Sequence, residues 1–516
     1  MAHKLRWRFF QNKGAMTVIL WCVVTSLGIC LTDYWLSAVG SSIPGTAIFI
    51  SIIILYPVIG LLGDVCVKRH NLVMFSLWVQ LMAMVIATIV PTLKFSDKHL
   101  SVWLNDLLIS IFNVVVVLGQ AAFQVTAIQF GTDQLQGAPS EHISSFICWY
   151  FWMEILAKLV TEWIAVVLAF FVKDKTSTTI AWSLVEVGLF TVVLSTKTCF
   201  KSHWFLSREP GEPNPYKITY RVLKFACKHN HPIQRSALTY WEDSIPSRID
   251  LGKNKYGGPF SVEEVENVKT CLHLIRVMIS LLGTLVTLQL IEYSLQGVLW
   301  NFTDHPGSSF SLHHVLLTGA SIDVVILGLL IPLHELIIFP LFQRYLPSML
   351  KRIWIGALLV VISSVSILLI DATGHKMNSY AIPCPHPSTS PIMELNPYIV
   401  LIPKVLYGLS YTIFSISLIE FIIAQSPESM WGMLIGVYYS IRVGLAGCLY
   451  LIFGYVLKFH TSKREWLSCG VVYSLLFTVV AFLSLIAFTI AAYKYKRRRR
   501  DDVVNIHIFA EEYYSK

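Results

Sequence analysis

The strongest constraint on this chain is an apolar run, long enough to cross a lipid bilayer, that recurs from one end to the other. A helix spanning the hydrocarbon core needs about 20 mostly apolar residues, because every backbone N–H and C=O must be satisfied within the segment where no water reaches. Such runs lie near residues 16–39, 44–65, 71–91, 104–129, 144–172, 178–198, 271–299, 313–342, 352–371, 396–424, 431–457 and 467–493. Charged residues make up only 14% of the 516, against about a quarter in a soluble domain. Water would not dissolve such a surface. The first run follows Lys4, Arg6, Arg8 and Lys13. Its length and the lack of a convincing cleavage site make it a permanent helix rather than a secretory signal.

The pattern predicts an all-α, multi-pass membrane protein with 12 transmembrane helices in two six-helix bundles. Its parts are an N-terminus (1–15), a first bundle (16–198), a polar linker (199–270), a second bundle (271–493) and a tail (494–516). An even number of spans puts both termini on one side. If that side is the cytoplasm, Lys68, Arg69, most of the 199–270 segment, Arg344, Lys351, Arg352 and the 494–500 cluster all lie inside. Lys and Arg then favour the inside by roughly three to one, as the positive-inside rule asks. The net charge of +9 is thus a matter of topology, with lipid as the partner and no nucleic acid implied.

The ten cysteines are scattered, mostly within apolar runs, without CxxC or His-plus-Cys spacing. The expectation is buried packing residues, with neither a disulfide framework nor a bound metal, and no cofactor. The absence of GxxxxGK, HExxH and a recognisable Ser, His and Asp set argues against an enzyme. Within the linker, 215–229 has amphipathic spacing, with Ile218, Val222, Phe225 and Ala226 on one face. It reads either as a helix lying on the inner membrane surface or as part of a solvated tether. Asn301-Phe302-Thr303 is a glycosylation sequon that this topology puts outside or in a lumen. The tail, ending Phe509-Ala510-Glu511-Glu512-Tyr513-Tyr514, is polar enough for a disordered segment or a trafficking signal.

Short motifs narrow the reading. The run from Gly60 through Gly63-Asp64 to Lys68-Arg69 resembles the loop motif of the major facilitator superfamily. There Gly60 permits close helix approach, Asp64 can accept charge-assisted hydrogen bonds from the facing bundle, and Lys68 and Arg69 anchor at the anionic leaflet. Phe130-Gly131-Thr132-Asp133-Gln134-Leu135, followed by Ser144-Ser145-Phe146-Ile147-Cys148-Trp149-Tyr150, looks like the FGADQF and SFFNWYYF of the proton-coupled oligopeptide transporter family. Leu418-Ile419-Glu420-Phe421, Gln425-Ser426-Pro427 and the following Met430-Trp431-Gly432-Met433-Leu434-Ile435-Gly436 are similar to its tenth-span motifs. Ile331-Pro332-Leu333-His334-Glu335 with Phe339-Pro340 is similar to PxxDRxxYP in the eighth span. Ser247-Arg248-Ile249-Asp250-Leu251-Gly252 through Tyr256-Gly257-Gly258-Pro259-Phe260 looks like the peptide and histidine transporter branch. The resemblance implies the major facilitator fold and a small-molecule substrate.

Departures from the family concern its charges. The first-span ExxER is missing near Gly28 to Trp35, where only Asp33 is ionisable; the fourth-span lysine falls on Gln124, and the tenth-span glutamate on Tyr411. Gln and Tyr do not titrate near neutral pH, so the family's proton and peptide-terminus sites do not carry over, and proton coupling is left open. Other intramembrane ionisable residues are functional candidates by default, since each costs about 2.5–3.5 kcal/mol at a helix centre unless paired or hydrated. Glu154 and Lys158 lie four apart on one helical face, extended by Glu162, and can line a cavity or form a structural pair. Glu292, Asp323, the adjacent His334 and Glu335, and Glu420 join Asp33, Gln124 and Tyr411 as substrate or proton-coupling candidates, with Lys404, Arg442 and Arg276 also noted.

Two readings of function follow. One is a secondary transporter of small polar solutes, short peptides or amino acids such as histidine, working by alternating access between the bundles. The other is a non-transporting sensor or scaffold whose linker or tail captures a protein partner. The expected location is the plasma membrane or an endosomal or lysosomal membrane.

Overall fold

The computed structural model describes residues 12–39, 45–96, 102–135, 138, 140–171, 184–185, 187–191, 205, 214–229, 247–296, 301–302, 322–342, 345–378, 392–393, 399, 401–449, 451–453 and 469–495. Nearly everything in them is helix. The spans of the first half are α1 (Lys13–Val39), α2 (Gly45–Val65), α3 (Arg69–Ser96), α4 (Val102–Asp133) and α5 (Ser140–Phe171). Of the expected sixth span only 184–185 and 187–191 are described, and they are helical. The linker contributes α6 (Pro215–Lys228). The second half holds α7 (Val262–Ser280), α8 (Leu282–Gln296), α9 (Ile322–Leu333), α10 (Met349–Asn378), α11 (Leu401–Gln425), α12 (Trp431–Tyr439) and α13 (Cys469–Tyr493).

Seven described helices are long and apolar enough to cross a membrane, and α7 with α8, bent by 46° at Leu281, makes an eighth. The shorter apolar helices Lys13–Gly28, Ile50–Val65 and Gly328–Phe342 coincide with the first, second and eighth expected spans, so the set is compatible with twelve. α9 and α12 each run on into a π-turn, His334–Ile338 and Ser440–Leu445 respectively. α7 begins at Val262, earlier than the 271 expected for the seventh span, because Ser261 and Glu264 form a reciprocal capping box over its first turn. Short strands Asn301–Phe302 and Ile392–Met393 pair in parallel.

The outer surface is apolar where a soluble protein would be charged. On α13, Leu475, Val479, Phe482, Leu483, Ile486 and Ile490 are all exposed, at a spacing that makes one continuous stripe toward lipid. The inner packing relies on close approach. Gly432, Gly436, Ser440 and Gly444 recur every four residues along α12 and its π-turn and face α2: a Cβ on Gly432 would sit 2.4 Å from the Gly60 carbonyl oxygen, and one on Gly436 2.5 Å from that of Tyr56. Ser440 Oγ donates to the Ile53 carbonyl at 2.8 Å. Small residues at this spacing let two helix backbones touch, which is how spans associate where burial from water offers no drive. α5 crosses α9, so two seams join the halves.

The described part of the linker is docked. Asn214 caps α6 with its side chain, Pro215 opens the helix, and Ile218 and Val222 pack on Val265 and Val268 of α7, with Ala226 buried on the same helix. Before α7, 247–260 folds into two short turns with Gly257 at φ 81° and Lys253 bridged to Phe260. A Cβ on Gly258 would lie 2.2 Å from the Gly252 carbonyl oxygen, which explains the glycine pair.

The α2–α12 approach predicts a contrast between two glycines. Gly60→Ala, whose new Cβ would fall 2.1 Å from the Gly432 oxygen, should lower stability by about 1–3 kcal/mol, whereas Gly188→Ala, with nothing within 4 Å, should not. Thermal unfolding of both variants in detergent checks this, and equal midpoints would contradict the packing.

Candidate functional site

Polar and aromatic side chains of both halves converge between α2, α4, α5, α11 and the π-turn after α12. Tyr56 donates to Gln124 Oε1 at 2.5 Å and stacks on Tyr439 with ring centroids 5.6 Å apart. The Arg442 guanidinium lies 4.6 Å from the centroid of Tyr411, and its Nη1 donates to the Tyr438 hydroxyl at 3.2 Å. Tyr439 and Tyr150 both lie within electrostatic reach of Glu154 of α5, and Tyr439 also of Arg442. A buried cation of the second half thus lies among aromatic rings contributed by both halves.

The linker end of the molecule is closed by one carboxylate. Asp64, at the foot of α2, accepts from the backbone N–H groups of Gly432 (3.1 Å) and Met433 (3.0 Å), at the start of α12. It also accepts from the Tyr216 hydroxyl of α6 at 2.7 Å and from Arg69 Nη2 at 3.1 Å. Arg69 is buried, its Nη1 donating to both oxygens of Asp133 at 2.9 Å. Two carboxylates and one guanidinium leave a net negative charge, which the positive first turn of α12 offsets. Arg69 therefore serves as the bridge between Asp64 and Asp133 and not as a leaflet anchor, the role expected of it beside Lys68. Burial and then the Asp64 carboxylate push the Tyr216 hydroxyl up, so it stays a neutral donor.

The second seam joins α5 to the π-turn after α9. Ser145 Oγ donates to Glu335 Oε2 at 3.0 Å, His334 Nδ1 lies 3.1 Å from Glu335 Oε1, and Trp152 Nε1 donates to the Gly328 carbonyl at 2.8 Å. Cys148 is buried alongside, and the donor atoms of Cys148, His334 and Glu335 lie within 4.8 Å of one another. The widened turn belongs to a class that is frequent at functional sites.

The candidates from sequence fall into separate groups. Gln124, bonded to Tyr56, and Tyr411, beside Arg442, belong to the central cluster, and Glu154 is its electrostatic neighbour; Gly60, Asp64 and Arg69 form the closed end; His334 and Glu335 form the second seam. Lys158 is half-buried one turn beyond Glu154. Glu420 pairs with Arg352 of α10 at 3.2 Å, within the second half. The side chains of Asp33, Glu292, Asp323 and Asn301 lie outside what is described, as does that of Glu162. Sequence reasoning did not single out Tyr56, Tyr438, Tyr439, Asp133, Ser145 or Tyr216, and it noted Arg442 only as one charge among several. The FGTDQL motif contained Asp133, and a carboxylate four residues past the expected end of the fourth span at 129 was the available clue.

A charged hub anchors the linker. Asp250 meets Lys253 Nζ at 2.7 Å, Lys269 Nζ at 2.8 Å and Ser247 Oγ at 2.6 Å. Burial alone would raise its pKa, but the hydrogen bonds from Lys253, Lys269 and Ser247 and the charge of Lys269 outweigh it and hold the carboxyl well below its usual range. A lowered folded pKa contributes stability above the unfolded value, and that contribution fades as pH falls from about 3.9 toward the folded value. Asp250→Asn should therefore lower the unfolding midpoint at neutral pH and converge with the parent in acid. Tyr216→Phe should cost about 1 kcal/mol in the parent and almost nothing in Asp64→Ala, which removes the acceptor. Midpoints of the single and double variants test both statements; additive losses would deny the Tyr216–Asp64 contact.

The geometry has close counterparts. A family model described as the POT family matches residues 70–461. Among solved structures, an auto-inhibited POT family peptide transporter has a TM-score of 0.63 at 14% identity, over 94% of this chain and 98% of its own. PepTSo, a POT family transporter crystallised in meso, has a TM-score of 0.60 at 14% identity, over 93% and 98%. A POT family transporter in complex with 5-aminolevulinic acid has 0.53 at 12%, over 94% and 95%. At these identities the structures speak for the fold, that of the major facilitator superfamily. With the family model running from the third span to beyond the eleventh, the chain belongs to the POT family of multi-pass membrane transporters.

Proposed function

We propose that this chain carries small solutes bearing both an amine and a carboxylate, short peptides or amino acids such as histidine, by alternating access between its halves. The observation that carries the proposal is the buried Arg442 guanidinium, 4.6 Å from the Tyr411 ring and 3.2 Å from the Tyr438 hydroxyl, where Tyr56 of the first half stacks on Tyr439 of the second. The solute carboxylate meets Arg442, its ammonium meets Glu154, and Tyr56, Tyr411, Tyr438 and Tyr439 supply apolar walls with hydroxyl tips. Arg442 thus replaces, from the other half, the cation that the family's fourth-span lysine would offer at Gln124. In keeping with this, relatives were solved as a peptide transporter and with 5-aminolevulinic acid, an amino-carboxylic acid.

Access at the linker end then requires Asp64 to release the first turn of α12. Proton coupling, on this reading, falls to Glu154, since Gln124 and Tyr411 do not change charge near neutral pH. The linker end faces the cytoplasm with both termini, and Asn301 lies outside or in a lumen, in a plasma, endosomal or lysosomal membrane. The sensor reading keeps less support, because the apolar face of α6 is spent on α7 and leaves only its basic side, Lys217, Arg221, Lys224 and Lys228, for a partner.

Uptake of labelled dipeptides and histidine by proteoliposomes, at acidic and neutral pH, tests the proposal. The parent should accumulate one of these solutes, Arg442→Gln should lose about tenfold or more of that uptake, and Glu154→Gln should lose its pH dependence. A folded, monodisperse protein that moves none of them would refute it.

A further inference from the structure

We infer that Cys148, His334 and Glu335 form a binding site for a borderline-soft divalent transition ion, with zinc as the type, at the seam between α5 and the π-turn after α9. Their donor atoms lie within 4.8 Å of one another, and the imidazole Nδ1 and carboxylate Oε1 are already 3.1 Å apart. Zinc bonds of about 2.0–2.3 Å in a tetrahedron set donor atoms about 3.3–3.8 Å apart, so a small side-chain adjustment closes the set. Cys148 and Glu335 are buried and His334 is half-buried, which leaves one side of the site approachable. Ser145 Oγ holds the second carboxylate oxygen at 3.0 Å, the kind of outer contact that orients a ligating carboxylate.

The donor chemistry selects the ion. A thiolate and an imidazole disfavour magnesium and calcium, which take oxygen ligands, and suit zinc and its neighbours. The thiolate and the carboxylate carry one negative charge each and the imidazole none, so together they neutralise a dication. On binding, the Cys148 thiol gives its proton to solvent and the sulfur–metal bond takes its place. Three protein donors leave the fourth position for water or a solute group. No spacing in the sequence announced this set, because the thiol comes from one half and the other two donors from the opposite half. An ion there would tie α5 to the second half and hold the linker end shut; that consequence rests on the alternating-access reading, whereas binding itself does not.

The test uses the full chain in detergent with the exposed Cys66 and Cys227 replaced by serine, and Co2+ as the probe. One Co2+ per chain should bind with tetrahedral visible absorption and a near-ultraviolet thiolate charge-transfer band, and Zn2+ should displace it. Cys148→Ser should abolish the charge-transfer band, while Cys22→Ser and Cys271→Ser keep it. Glu335→Gln, which preserves shape, should weaken binding about a hundredfold while keeping a weakened band, and it decides the matter if Cys148→Ser does not fold. Absence of stoichiometric binding, a band that survives Cys148→Ser, or undiminished affinity in Glu335→Gln would overturn the site. Because none of these readouts involves transport, failure here and failure of the transport proposal are distinguishable.

Discussion

A buried carboxylate with four donors is the contact on which the arrangement of the halves depends. Asp64 receives two backbone N–H groups from α12, a guanidinium from α3 and a phenol from the linker, so three parts of the chain are fixed to one side chain. Such a group is expensive to strand, since removing one partner of a buried pair typically costs about 3–5 kcal/mol. It is also breakable as a set, because water can replace every donor once the helices part. The glycines follow from it: Asp64 reaches the first turn of α12 only if the backbones of Gly60 and Gly432 touch.

The same helix links this contact to the central cluster. α12 starts at the Asp64 carboxylate and runs through Tyr438 and Tyr439 into the π-turn that presents Arg442, while α2 runs from Asp64 back to Tyr56. The two helices that close the linker end therefore also carry the rings and the cation at the centre. On the proposed reading, a solute held at Arg442 acts on the helix whose first turn Asp64 holds, which would give alternating access a mechanical route.

What could be read in the sequence was what lipid imposes. Apolar runs of bilayer length announce themselves, and the order of the short motifs placed the chain in its family even though three of the family's charges had gone. Asp64 was legible because a carboxylate at the foot of a span, after two glycines and before a basic pair, has few other uses. Arg442 was not, because its worth lies in Tyr411 and Tyr439, which no periodicity connects to it. The amphipathic face of α6 was visible, but amphipathic spacing is the same whether the apolar side meets lipid or, as here, Val265 and Val268. Arg69 followed the same logic, reading as a leaflet anchor until Asp133 was brought beside it by the fold. Cys148 looked like one packing cysteine among ten, since a donor set split between halves leaves no spacing to find.

The most direct test of the Asp64 account is an interspin distance across the linker end. Spin labels at Leu62 of α2 and Lys351 of α10, both exposed, in a background lacking the exposed cysteines, would be measured by pulsed electron resonance with and without Asp64→Asn. The account predicts one narrow distribution in the parent that lengthens and broadens in the variant. Indistinguishable distributions would show that the halves are held together by something other than this carboxylate.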